Sequence, residues 1–216
     1  FLDPAKGTGE AAITNAELDM HDVVLRDFVI EGGQSTEVPR DPNGGMQRRR
    51  LIYSPIRGGI FFQSDGKAVQ RNLKFEHLTV RNCTYNAVEL FGAEQVDIVN
   101  CDFSASGGMV PPGHGKNHNL KMNHISRVTI NGSRFVDSLW GHGIAVIFGR
   151  DVSIHNCEIT RNKLAGLMIA ESQHVTVKDC LAEGNGGTGI AQNTWLDPNQ
   201  GVVTQNNILR NNAAAS

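Results

Sequence analysis

The chain has 216 residues, enough for one domain with a real core and few for two compact ones. Hydrophobic residues make up 39% and charged residues 19%, which excludes a disordered or fibrous chain. Lys+Arg 20 against Asp+Glu 22 leave a formal net charge of -2, excluding a generally basic nucleic-acid binder, and no apolar run approaches the roughly 18–20 residues needed to span a bilayer.

In chain order, FLDPAKGTGE has no Met and no signal-peptide pattern, so it reads as a processed chain or a piece of a longer one. Residues 1–21 read as an irregular lead-in. A short pattern then recurs: apolar, any, apolar, two polar, Cys or apolar, any, apolar. Its copies are VVLRDFVI (23–30), LKFEHLTV (73–80), VDIVNCDF (96–103), VTINGSRF (128–135), VSIHNCEI (152–159), VTVKDCLA (175–182) and a fading VTQNNILR (203–210). The middle five start 23, 32, 24 and 23 residues apart. A second apolar run follows each copy: GIFF (59–62), AVEL (87–90), NLKM (119–122), GIAV (143–146), GLMI (166–169) and GIAQ (189–192).

A period of 23–24 residues is too short for helical repeats, and no LxxLxLxxN signature is present. Two β-rich runs per repeat instead predict an all-β fold, a single parallel β-helix solenoid of about seven coils stacked at ~4.8 Å. Alternation sets the facing. Leu78, Cys101, Ser133, Cys157 and Cys180 share one inward column; Val80, Phe103, Phe135 and Ile159 share the next. Between them Asp102, Arg134 and Glu158 form an outward charge ladder. The 24 Gly and 19 Asn fit many tight corners. Asn100, Asn156 and Asn207 are placed at one corner and Asn162 and Asn185 at another, as structural rather than catalytic residues. Cys157 and Cys180, one coil apart, fit either a buried thiol stack or a disulfide.

Loop insertions near 31–57 and 104–117 leave the same corner and flank a shorter coil, so they imply a cleft. A smaller insertion, 193–201, leaves another corner. The floor of the cleft is the outward column of the second strand: Phe61, Glu89, Lys121, Ala145, Met168 and Ala191. Just before that strand stand Asn86, His118, His142, Ala165 and Thr188. Lys121, His142, His118 and Glu89 are the candidate catalytic residues. Asn86, Tyr85, His114, Lys116, Arg48, Arg49 and Arg50 are the candidate substrate-binding residues. The plain alternative is a surface salt bridge between Glu89 and Lys121 and a corner pair of histidines.

The repeated V-x-I-x-N-C-x-I…N…G-I-x-V pattern, over about residues 22–212, resembles the right-handed parallel β-helix superfamily, the pectate-lyase-like fold. RRRLIYSPIRGGIFF and HLTVRNCTYNAVELFG are similar to secreted bacterial β-helix proteins linked to glycan degradation. The resemblance implies a secreted, periplasmic or surface protein whose partner is a polysaccharide or oligosaccharide. The superfamily includes polysaccharide lyases, glycoside hydrolases, uronate epimerases and adhesins. Gly141-His142-Gly143 resembles the GHG motif of polygalacturonase-type hydrolases. Those enzymes also need an Asp pair one coil earlier, where this chain has NHNLKMN, and an RxK, which is missing; the epimerase DPH is missing too.

Hydrolysis usually needs two carboxylates. The column offers Glu89 alone, with Asp137, Asp102 or Asp41 as possible partners. β-Elimination needs a base and a cation for the uronate carboxylate, which Lys121, His118 and His142 can supply. The expected activity is therefore a lyase acting on an acidic, uronate-containing glycan. A glycoside hydrolase and a non-catalytic glycan-binding adhesin are the alternatives; Tyr53, Tyr85, Trp140 and Trp195 would serve the last. No cofactor is required. A Ca2+ ion between Glu89 and a loop aspartate is compatible, though no ligand spacing demands it. Open solenoid ends call for a flanking domain or an oligomer as a cap.

Overall fold

The computed structural model describes residues 11–15, 19–32, 58–64, 69–107 and 117–213. Sheet A contains β1 (Ala11–Thr14), β4 (Gly58–Gln63), β7 (Val88–Phe91), β10 (Leu120–Asn123), β13 (Ile144–Ile147), β16 (Leu167–Ala170) and β19 (Ile190–Asn193). Sheet B contains β2 (His21–Arg26), β5 (Gln70–Glu76), β8 (Ala93–Val99), β11 (Ser126–Asn131), β14 (Arg150–His155), β17 (Gln173–Lys178) and β20 (Val203–Gln205). Sheet C contains β3 (Val29–Glu31), β6 (Thr79–Arg81), β9 (Asp102–Ser104), β12 (Arg134–Val136), β15 (Glu158–Thr160), β18 (Leu181–Glu183) and β21 (Ile208–Arg210). Among the described residues each sheet has seven strands, and every strand pairs in parallel with the third strand before or after it in sequence. This is the expected β-helix. No helix among the described residues is long and apolar enough to cross a membrane.

The interior follows from the period of two. In sheet B, Val96, Val128, Val152 and Val175 pair in register and stack inward, as do Ile98, Ile130, Ile154 and Val177; all are buried. In sheet C, Phe103 and Phe135 meet edge to face with centroids 5.8 Å apart. Each such side chain contributes about 1.5–3 kcal/mol by leaving water. Arg134 lies between Asp102 at 2.7 Å and Glu158 at 2.9 Å, forming the outward ladder, but exposed pairs of this kind add little.

Two expectations need correction. Part of the supposedly irregular lead-in is ordered strand: Ala11–Thr14 pairs with β4, and His21 opens β2. The last copy was read one residue late. Lys178 pairs with Gln205, so Asn206 stands at the corner beside Asp179, with φ 54°, and Asn207 points inward beneath Cys180. A slip of one residue exchanges the two faces of a strand. Hence Val202 packs against the core while Val203 is exposed.

The corner between sheets C and A is built from side-chain caps. The backbone N–H of Cys83 donates to Ser106 Oγ at 3.1 Å, Ser138 to Asn162 Oδ1, Asn162 to Asn185 Oδ1 and Asn185 to Asn212 Oδ1, the last three at 3.0 Å. At Ser106 the cap comes from its own coil, Asn119 Oδ1 accepting the backbone N–H at 3.1 Å. Buried polar backbone is thus satisfied coil by coil. All four cysteines are free and buried. Burial pushes the Cys83 thiol up to about 12. The Cys157 thiol is raised by its hydrogen bond with Cys180 and by burial.

The 193–201 insertion leaves the corner between sheets A and B and folds back on Glu171. This carboxylate accepts the backbone N–H groups of Trp195, Leu196 (2.8 Å) and Asp197. Its withdrawal from water raises its proton affinity, but the three donors together outweigh that and the net shift is downward. The bond set is therefore complete above the ordinary carboxylate range and fades as pH falls through the lowered folded value. The amide signals of Trp195 and Asp197 are expected to move together as pH falls below the ordinary carboxylate range and to be displaced at neutral pH in Glu171→Gln. Unmoved signals in both cases would exclude this anchor.

Candidate functional site

Glu89 of β7 and Lys121 of β10 are in-register partners, and both side chains face outward. Parallel pairing sets them side by side, with Lys121 Nζ 2.8 Å from Glu89 Oε1. The other carboxylate oxygen, Oε2, accepts from Asn86 Nδ2 at 2.7 Å. Asn86 Oδ1 in turn accepts the backbone N–H of His118 at 2.6 Å. His118 Nδ1 accepts the backbone N–H of His142 at 3.0 Å, and the two rings stack with centroids 5.1 Å apart. The four candidate catalytic residues and Asn86 thus form one network over three coils.

Their surroundings divide them. A cleft of about 240 Å3 is lined by Phe61, Tyr85, Asn86, Glu89, Asn117 and Lys121, with Gly58 and Ile60 behind them. His118 is buried and does not line it; His142 is half-buried and stands beside the lining rather than on it. As acceptor of a backbone N–H, its Nδ1 carries no proton, so the neutral ring holds its proton on Nε2. Protonating Nδ1 would set donor against donor. His118 is therefore a positioning group for the His142 backbone. Asn86 is buried as well and ties Glu89 to the backbone of His118.

Arg48, Arg49, Arg50, His114 and Lys116 lie outside the described residues, as do Asp41, Tyr53 and most of the two loops expected to wall the cleft. The other proposed carboxylates are engaged elsewhere. Asp102 is held by Arg134, and Asp137 takes Arg161 with both oxygens at 2.8 and 2.9 Å. Among the described residues no group of three or more His, Cys, Asp or Glu could hold a metal ion.

Beyond Lys121 the outward column becomes apolar. Ala145, Ile147, Met168 and Ala170 are buried in a cluster of their own. The charged side chains of the described sheet A strands are thus confined to β7 and β10, with His142 at their border. Phe61 lines the cleft as its place in the floor column with Glu89 predicts. Asn117 lines it too and is the residue the sequence does not single out.

Residues 57–216 match the family model described as "Right handed beta helix region". The chain belongs to that family. No curated protein matches it. Among solved structures, this β-helix is similar to a "putative glycosyl hydrolase" from Parabacteroides merdae ATCC 43184, at 12% identity and TM-score 0.38 over 70% of this chain and 82% of that one. It is also similar to Geobacillus virus E2 ORF18, at 10% identity and TM-score 0.26 over 65% and 40%. A third is the A-module of the mannuronan C-5 epimerase AlgE4 from Azotobacter vinelandii, at 12% and 0.21 over 70% and 62%. Likenesses this distant concern the coil architecture and carry no argument about chemistry.

Proposed function

We propose that this β-helix acts on an acidic glycan in the sheet A cleft, by β-elimination at a uronate residue. The carrying observation is the composition of the polar floor: one carboxylate, Glu89, already bonded to one ammonium, Lys121. A hydrolase needs two carboxyl groups about 5–9.5 Å apart, and the described residues offer Glu89 no partner. An ammonium and an imidazole suit elimination. Lys121 exchanges Glu89 for the uronate carboxylate and stabilises the charge that develops on it. His142, at the border of the polar stretch, removes the C5 proton. The C–O bond at C4 then breaks, leaving a C4=C5 double bond, and Tyr85 or water protonates the departing oxygen. Such polymers are met outside the cytoplasm, and we place the protein there.

The second reading is a glycan-binding module without turnover. It is favoured by the self-contained bonding of Glu89, whose two oxygens already hold Lys121 and Asn86.

Incubation with uronate polysaccharides is expected to release unsaturated product, seen by its ultraviolet absorbance. Lys121→Ala should lower the rate about a hundredfold or more while the melting curve barely moves. New reducing ends without absorbance would replace the lyase by a hydrolase. Binding without either product would leave the module.

A further inference from the structure

The corner between sheets A and B carries a feature the fold does not need. Gly92, His124, Phe148 and Glu171 occupy successive corners there in left-handed backbone, with φ 69°, 52°, 50° and 53°. Glycine takes that conformation freely, whereas a bulky aromatic does not. Phe148 is only partly repaid by burial, since it is 38% exposed. Its ring centroid lies 4.6 Å from that of His124, which lies 5.3 Å from that of Phe91.

The three rings line a cavity of about 880 Å3 together with Glu94, Arg127, Arg150 and Asp151. Glu94 is shared by Arg71 at 2.6 Å and Arg127 at 2.9 Å. Asp151 meets His174 at 3.0 Å. Among the described residues Arg150 reaches only the side-chain oxygen of Gln173, at 3.2 Å. Among the described residues three guanidiniums thus face two carboxylates; Arg127 and Arg150 line the cavity, and Arg150 meets neither carboxylate.

We propose that this corner binds a uronate residue of an acidic glycan, with the apolar C–H face of the sugar on Phe148 and His124 and its carboxylate on Arg150. Aromatic faces take up apolar ring surface, and the planar guanidinium matches a carboxylate with two hydrogen bonds. Phe91 lies two residues beyond Glu89 on β7, about 7 Å along the strand, so the corner is a separate subsite at the opposite end of the same strands. It stands on its own rings and arginines and does not depend on the chemistry proposed at Lys121.

The test is titration of digalacturonate into the full chain, followed by the backbone amide signals of His124 and Phe148. Saturable shifts are expected at both, and not with the neutral digalactose. Arg150→Gln should weaken the binding about tenfold or more. Phe148→Gly should weaken it as much with only a modest fall in melting temperature, because glycine's ease in the left-handed corner offsets part of the lost ring contact. Unmoved corner signals, equal binding of the neutral disaccharide, or full affinity in both variants would overturn the proposal. Shifts confined to Glu89 and Lys121 would overturn it and leave the sheet A reading intact.

Discussion

Replacing Asn162 by alanine is expected to cost about 3–5 kcal/mol, a large part of the 5–15 kcal/mol that holds a typical domain folded. Asn162 is 1% exposed. Its Oδ1 accepts from the Ser138 backbone at 3.0 Å and from Asn119 Nδ2 at 3.2 Å; its Nδ2 donates to Phe135 O and to Asn185 Oδ1, both at 3.0 Å. Alanine would strand several buried polar groups at once. Urea unfolding should show a lower midpoint with unchanged slope. Asn162→Asp, which sets a carboxyl oxygen against the acceptor oxygens of Phe135 and Asn185 in a buried site, should fall at least as far. A midpoint unmoved by either change would show that the ladder is not what secures this corner.

The second large effect is expected at Gly141. A Cβ there would lie 1.7 Å from the backbone oxygen of Asn117 and 2.5 Å from His118 Nδ1. The first of these is main chain, so the two coils must part. Gly141→Ala should cost about 3 kcal/mol or more and disrupt the network from His142 to Glu89. Gly184→Ala is the comparison. It has φ +64° but meets only Arg161 Cγ at 3.7 Å, so it should cost only the left-handed backbone, about 1–2 kcal/mol. Thermal melts of the two, read with glycan turnover or binding, check the contrast. Equal stability and equal function would mean that Asn117 yields without consequence. In this chain the glycine before His142 is thus explained by close packing, whatever motif the tripeptide resembles.

The coil register was legible wherever apolar residues alternate strictly. One inward column, Leu78–Cys101–Ser133–Cys157–Cys180, settles the rest, because a slip by one would bury charge. Alternation does not fix the last copy, where Val202 and Val203 are equally apolar and only pairing with β17 decides between them. The Glu89–Lys121 pair was legible because register is a property of spacing. The burial of His118 was not, since it depends on how closely Asn117 and Gly141 approach. Ser106 and the capping role of Ser133 were not legible because a hydroxyl can cap the same backbone N–H as an asparagine amide. The aromatic corner was invisible for a different reason: corner residues belong to neither alternating pattern.

In-register pairing from β4 onward makes the coil a unit of change. Arg150 and Gln173 occupy equivalent places one turn apart, as do Ile144 and Leu167. Excising or duplicating the segment between such equivalents leaves edges that still match, because each turn touches only its neighbours. Length can therefore drift in whole turns during evolution while Glu89 and Lys121 keep their spacing, and a longer or shorter cylinder can present the same short polar floor.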